Sequence, residues 1–78
     1  MYQVNVYNNI ENKWYYPKFE NEREMALYLT TIHYKPWVDL LIRVNGKIVY
    51  MVHNKETYNK MFNKYRRIYL KHKKREEV

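Results

Sequence analysis

Val38-Asp39-Leu40-Leu41-Ile42-Arg43-Val44-Asn45-Gly46-Lys47-Ile48-Val49-Tyr50-Met51-Val52 is the stretch whose reading decides the fold. Asn45-Gly46 stands between two apolar runs. That dipeptide is the strongest short hairpin signal, because a type I′ turn needs left-handed backbone at both central residues. A two-residue turn sets Val44 opposite Lys47, Ile42 opposite Val49 and Leu40 opposite Met51. On that register Val38, Leu40, Ile42, Val44, Val49 and Met51 share the core face. Asp39, Leu41, Arg43, Ile48, Tyr50 and Val52 fall on the other face. It is unusually apolar for a solvent face and is expected to be covered in part.

Working outward toward the N-terminus, Lys35-Pro36 should stop a helix that begins after Asn21. Asn21 is its expected N-cap, with Glu24 three residues on completing a capping-box pair. Glu20, Glu22 and Glu24 lie where the helix dipole favours negative charge. Met25, Tyr28, Leu29 and Ile32 make the buried stripe. Further out, Met1 to Tyr7 alternates, with Tyr2, Val4 and Val6 on one face, and reads as a half-buried strand. Asn8 to Asn12 is turn chemistry. Lys13 to Tyr16 reads as a second strand, which Pro17 ends or places at an edge.

Toward the C-terminus, Asn54 is the expected cap of a long helix with Thr57 at N3. Tyr58, Met61, Phe62, Tyr65, Tyr69 and His72 recur at helical spacing as its apolar stripe. From about Lys71 to the end the helix is expected to fray, because like charges repel there. The chain thus reads as one α+β domain over its 78 residues. Its expected order is ββαββα, a four-stranded antiparallel sheet with two helices on one face.

Composition narrows the chemistry. A chain this short buries only about 60% of its unfolded surface, and it has no cysteine to staple it. Ten Tyr, two Trp and two Phe must therefore supply much of the core. Trp14 and Trp37 are expected inside. Ser is absent along with Cys, one glycine cannot build a phosphate-cradling loop, and Asp39 is the sole Asp. His33, His53 and His72 show no metal-ligand spacing. No nucleophile, acid–base pair, metal site or cofactor site is legible, so catalysis and a small-molecule substrate are not expected. The longest apolar run, Ile48 to Val52, is far short of the ~20 residues that span a bilayer. The Met1 to Tyr7 segment lacks the apolar core of a secretory signal. A soluble, cytoplasmic protein is expected, with no membrane partner. The abundance of Lys, Asn, Tyr and Ile beside scarce Ala, Gly and Pro matches AT-rich coding, as in a low-GC bacterium, its phages or its mobile elements.

Charge is uneven. Residues 1–54 hold six bases and five acids, whereas Lys55 to Arg75 holds nine bases and one acid within a net charge of +7. Lys60, Lys64, Arg67, Lys71 and Lys74 recur at i, i+4, i+7, i+11 and i+14, and Arg66 and Arg75 add to them. This is the footprint of a surface that meets polyanions, nucleic acid foremost. A lysine-rich face also serves plain solubility. The asymmetry, the alignment and the three Arg favour contact with nucleic acid or nucleoprotein. A membrane surface is disfavoured, because the Tyr-rich face of the same helix is needed for the core. Tyr15, Tyr34 and Tyr50 are candidate aromatic contacts for bases or a protein partner. Aromatics on several faces of a short chain also leave area to cover, so a symmetric homodimer is expected.

The run Leu40-Leu41-Ile42-Arg43-Val44-Asn45, with its return strand and the helix that follows to Tyr65, resembles a hairpin-helix segment of the small prophage-encoded anti-CRISPR proteins that inhibit Cas9. It covers about a third of the chain. The resemblance implies a phage counter-defence protein acting as an inhibitor, whose partner is a Cas effector. Those inhibitors are acidic and look like DNA to the nuclease, whereas this helix is basic. Neither DNA mimicry nor any binding residue carries over. Two other readings stand beside this one: a DNA- or RNA-binding accessory protein, and a structural or interaction module whose basic face is merely solvated.

Overall fold

A computed structural model describes residues 1–76, and side chains through Lys74. The elements are β1 (Tyr2–Asn8), β2 (Lys13–Tyr15), β3 (Lys18–Phe19), α1 (Glu22–Thr31), β4 (Val38–Val44), β5 (Lys47–Val52) and α2 (Lys55–Glu76). The fold is α+β. The antiparallel sheet runs β2-β1-β4-β5, with β3 paired to β1 beyond β2. It therefore has five strands where four are expected. Pro17 does interrupt the second strand, but its carbonyl accepts from Val4 N at 3.1 Å. The chain stays against β1 and resumes pairing at Lys18 and Phe19.

The turn behaves as its dipeptide dictates. Asn45 and Gly46 have φ of 54° and 81°, the type I′ signature. The N-terminal ammonium donates to Asn45 Oδ1 at 2.6 Å, and Asn45 N donates to Met1 O at 2.7 Å, so the turn also anchors the start of β1. A Cβ at Gly46 meets nothing within 4 Å. The cost of Gly46→Val is thus conformational, about 1 kcal/mol or more for a β-branched residue at positive φ. Thermal melts should show that loss, and an unchanged midpoint would count against the turn assignment.

Beyond the turn the register departs from expectation. Val44 pairs with Lys47, but Arg43 pairs with Ile48 and Ile42 with Tyr50. Val49 is the extra residue of a β-bulge, so two residues of β5 oppose one of β4. Leu40 then pairs with Val52 rather than Met51. From the bulge onward the faces exchange. Val49 and Met51, expected in the core, are exposed, and Tyr50 and Val52 turn inward. The exchange puts a half-buried tyrosine and a buried valine on the helix-covered face in place of a valine and a methionine. Tyr50 lies edge-on to Tyr65 there, with ring centroids 6.1 Å apart.

Both helices pack on the inner face. The core comprises Val4, Leu40, Ile42 and Val52 from the sheet, Met25, Ala26 and Leu29 from α1, and Met61 and Tyr65 from α2. Asn21 Oδ1 accepts from Glu24 N at 2.9 Å, while Glu24 Oε2 reaches Glu20 N, one residue before the cap. α1 ends at Thr31, four residues before the Lys35-Pro36 signal. The Thr30 and Thr31 hydroxyls bond back to the carbonyls of Ala26, Leu27 and Tyr28 there. The Tyr58 hydroxyl then donates to Ile32 O at 2.6 Å, tying this exit to α2. Asn54 caps α2 as expected: its Oδ1 accepts from Thr57 N at 2.8 Å, and Thr57 Oγ1 accepts from Asn54 N at 3.2 Å. Helical backbone continues through Glu76, past the turns from Lys71 expected to fray; the last residues of that expected tail, Glu77 and Val78, lie outside the described residues.

Trp14 and Trp37 are not core residues. They remain 43% and 40% exposed, and all three residues of β2 are exposed. Neither helix reaches over the outer face of the sheet. Its rows, read from the pairings, are Trp14-Tyr7-Asp39, Asn5-Leu41-Met51 and Lys18-Gln3-Arg43-Ile48. Asn5 Oδ1 and Arg43 Nε on this face are buried without a hydrogen-bond partner, at a cost of about 1–3 kcal/mol each.

Candidate nucleic-acid interface

The capped N-terminus and the aromatic stripe orient α2. Met61 and Tyr65 point into the core, and Tyr58, Phe62, Ile68, Tyr69 and His72 flank them at the boundary. His72 Nε2 lies 3.6 Å from Glu22 Oε1, joining the far end of α2 to the start of α1. With the inward side thus assigned, Lys60, Lys64, Arg67, Lys71 and Lys74 fall on an exposed side.

Three of them converge with a sheet residue. Lys60, Lys64 and Arg67 line an open groove of about 550 Å³ together with Asn63 and Tyr50. Lys64 Nζ sits over the Tyr50 ring at 5.0 Å and over Tyr65 at 5.8 Å from the centroids. These cation–π contacts, worth about 0.5–1 kcal/mol at an exposed site, hold one ammonium at the groove floor. Lys60 lies 3.4 Å from Glu56, one turn back, with both side chains largely exposed. Exposed pairs of this kind contribute little, so Lys60 remains available to an anion. The result is a cationic channel with an aromatic wall along the β5 side of α2. It can take phosphates on its three cations while a sugar or base edge meets Tyr50.

Not every expected site residue joins it. Lys71 and Lys74 continue the stripe beyond the groove and are exposed. Arg66 is exposed too, but at 3.6 residues per turn it sits about 120° round the helix from Lys60. Lys73 shares that opposite flank. Arg75 lies in the helical backbone, but its side chain is outside the described residues. Tyr15 does not approach the groove. Its strand forms the sheet edge remote from β5, where Lys13 Nζ lies 5.2 Å from its ring centroid. Its hydroxyl donates to Glu11 Oε2 at 2.8 Å, and that hydrogen bond, with slight desolvation and the carboxylate charge, holds the phenol above its usual range. Tyr34 is half-buried against Tyr58, centroids 5.5 Å apart, and serves packing. Tyr50 reaches the groove from the inner face of the sheet, opposite to the face its expected register gave it. Asn63 was not foreseen, although it stands three residues after Lys60 and four before Arg67, a spacing that places it on the stripe.

Tyr65, beneath Lys64, has its hydroxyl pushed up to about 12, first by burial and then by the charges of Glu22 and neighbouring tyrosines. An unfolded tyrosine titrates near 10. The raised folded value means that this contribution to stability is complete below about pH 10 and is lost as pH rises from about 10 through 12. Alkaline melts should show a Tyr65-dependent fall in that window, absent in Tyr65→Phe. Equal alkaline sensitivity of both proteins would sink this assignment.

Among the described residues no cluster of three His, Cys, Asp or Glu could hold a metal ion. No helix among them is long and apolar enough to cross a membrane. Comparison with protein-family models, with curated proteins and with solved structures finds no match to this chain.

Proposed function

We propose that this protein binds nucleic acid or a nucleoprotein through the outer side of α2, without catalysis. The observation that carries the reading is the convergence of Lys60, Lys64 and Arg67 around Tyr50 in one open groove. Lys71 and Lys74 extend it along the helix. Five cations at steps of three and four residues span about 21 Å of helix, a length over which either strand of a duplex presents about six phosphates. A solvated lysine face needs neither the alignment nor the aromatic wall. The resemblance of the Leu40 to Tyr65 segment to Cas9-inhibiting proteins gives this reading its most specific form, inhibition of a CRISPR-Cas-type defence complex in a bacterial cell. It rests on that resemblance alone.

The test is binding to labelled duplex, to single strand and to a guide-loaded Cas effector at several salt concentrations. Contact through the stripe makes affinity fall steeply with salt. Absence of salt-dependent binding to all three targets removes the proposal.

A further inference from the structure

The helix-free face of the sheet is a surface that the α2 reading leaves unused. Met51 is 57% exposed on it, and Trp14 and Tyr16 are exposed with their rings stacked 11° from parallel at 6.1 Å. Its rows carry Lys18 and Arg43 against Asp39, close to balance, while the chain as a whole is +7. Two copies of so basic a protein repel through their helix side. Pairing of the open β5 edge with itself would bring Lys60, Lys64 and Arg67 of both copies together. The near-neutral face is where like molecules approach at least electrostatic cost.

That face is also self-complementary. Asn5, Leu41 and Met51 form one row across β1, β4 and β5. Asp39 and Arg43 stand two residues before and two after Leu41, on the same side of β4 as Leu41. We infer that two copies of this chain pack sheet against sheet about a two-fold axis lying along the Asn5-Leu41-Met51 row. The axis turns β4 antiparallel to its own copy. Leu41 then meets Leu41 and Met51 meets Met51. Arg43 of each chain comes over Asp39 of the other, twice by symmetry, as an isologous interface requires. Both α2 helices are left on the outside, so the dimer offers two basic grooves pointing away from each other.

Sedimentation equilibrium from low micromolar to millimolar concentration tests this. The wild-type protein dimerises. Leu41→Lys, which sets two ammonium groups together at the axis, and Arg43→Asp and Asp39→Arg, which set like charges together twice, each weaken the dimer by about a hundredfold. Circular dichroism checks that each is folded. Mixing the folded Arg43→Asp and Asp39→Arg proteins restores a dimer, because each variant supplies the charge the other now faces. A wild-type monomer at every concentration overturns the inference, as does a dimer that survives Leu41→Lys, or a mixture that stays monomeric. Asp39 Oδ2 also accepts from Asn9 Nδ2 at 3.1 Å. If Asp39→Arg fails to fold for that reason, Leu41→Lys and Arg43→Asp decide, and persistence of the dimer in either folded variant overturns it.

Discussion

Replacing Lys60, Lys64, Arg67 and Lys71 together with Gln is expected to flatten the salt dependence of nucleic-acid binding by about 3–4 log-log units. Each cation that neutralises a phosphate releases condensed counterions. The slope lost per cation is about 0.9 on duplex and about 0.7 on single strand. Four cations therefore remove about 3.6 units on duplex and about 2.8 on single strand, so the size of the change also reports which form lies in the groove. The fold should persist. All four side chains are exposed, Lys60 gives up only a surface pair with Glu56, and Lys64 gives up its contacts over Tyr50 and Tyr65. Arg66→Gln is the internal control. It changes net charge by one unit on the opposite flank of α2 and should move the slope far less than Lys64→Gln. Fluorescence anisotropy with labelled oligonucleotides over a range of salt concentrations reads both. An unchanged slope in the quadruple variant would mean that the stripe is only solvated.

Tyr65→Ala carries the largest expected effect on stability. The ring is 2% exposed, closes the core between α2 and the sheet, and supports Tyr50 edge-on. Removing a buried aromatic costs about 3–5 kcal/mol, the lost transfer energy plus the cavity left behind. At about 0.05–0.15 kcal/mol per residue, the whole domain holds roughly 4–12 kcal/mol. The variant should thus lose a large share of that stability and unfold at a markedly lower denaturant concentration than wild type. Chemical denaturation followed by circular dichroism measures this. Leu70→Ala, at an exposed helix position, is the comparison and should stay within about 0.5 kcal/mol of wild type. Similar midpoints for the two variants would contradict the placement of Tyr65. Because Tyr50 leans on Tyr65, a partly folded Tyr65→Ala protein should also lose the aromatic wall of the groove, linking core packing to binding.

What the sequence determined by itself is local. Asn45-Gly46 dictated its turn because few other residues tolerate positive φ at two successive positions. Asn21 and Asn54 dictated helix starts because their amide oxygens reach the exposed N–H groups of the first turn. The periodicity of Tyr58, Met61, Phe62, Tyr65 and Tyr69 set the inward side of α2, and with it the outward side of the cationic stripe. Those rules act over a few residues and need no knowledge of distant partners. The β5 register was decided by tertiary structure. A regular hairpin and a bulged one satisfy the same turn, and only the space under α2 selects the one that turns Tyr50 and Val52 inward. The same holds for Trp14 and Trp37. Their size argued for burial, but the helices pack on the inner side of the sheet, and the described residues leave both indoles outside the core cluster that forms there. Arg66 and Lys73 differ from Lys60, Lys64 and Arg67 only by which flank of α2 they occupy. A distinction between flanks exists only once β5 and Tyr50 lie beside one of them.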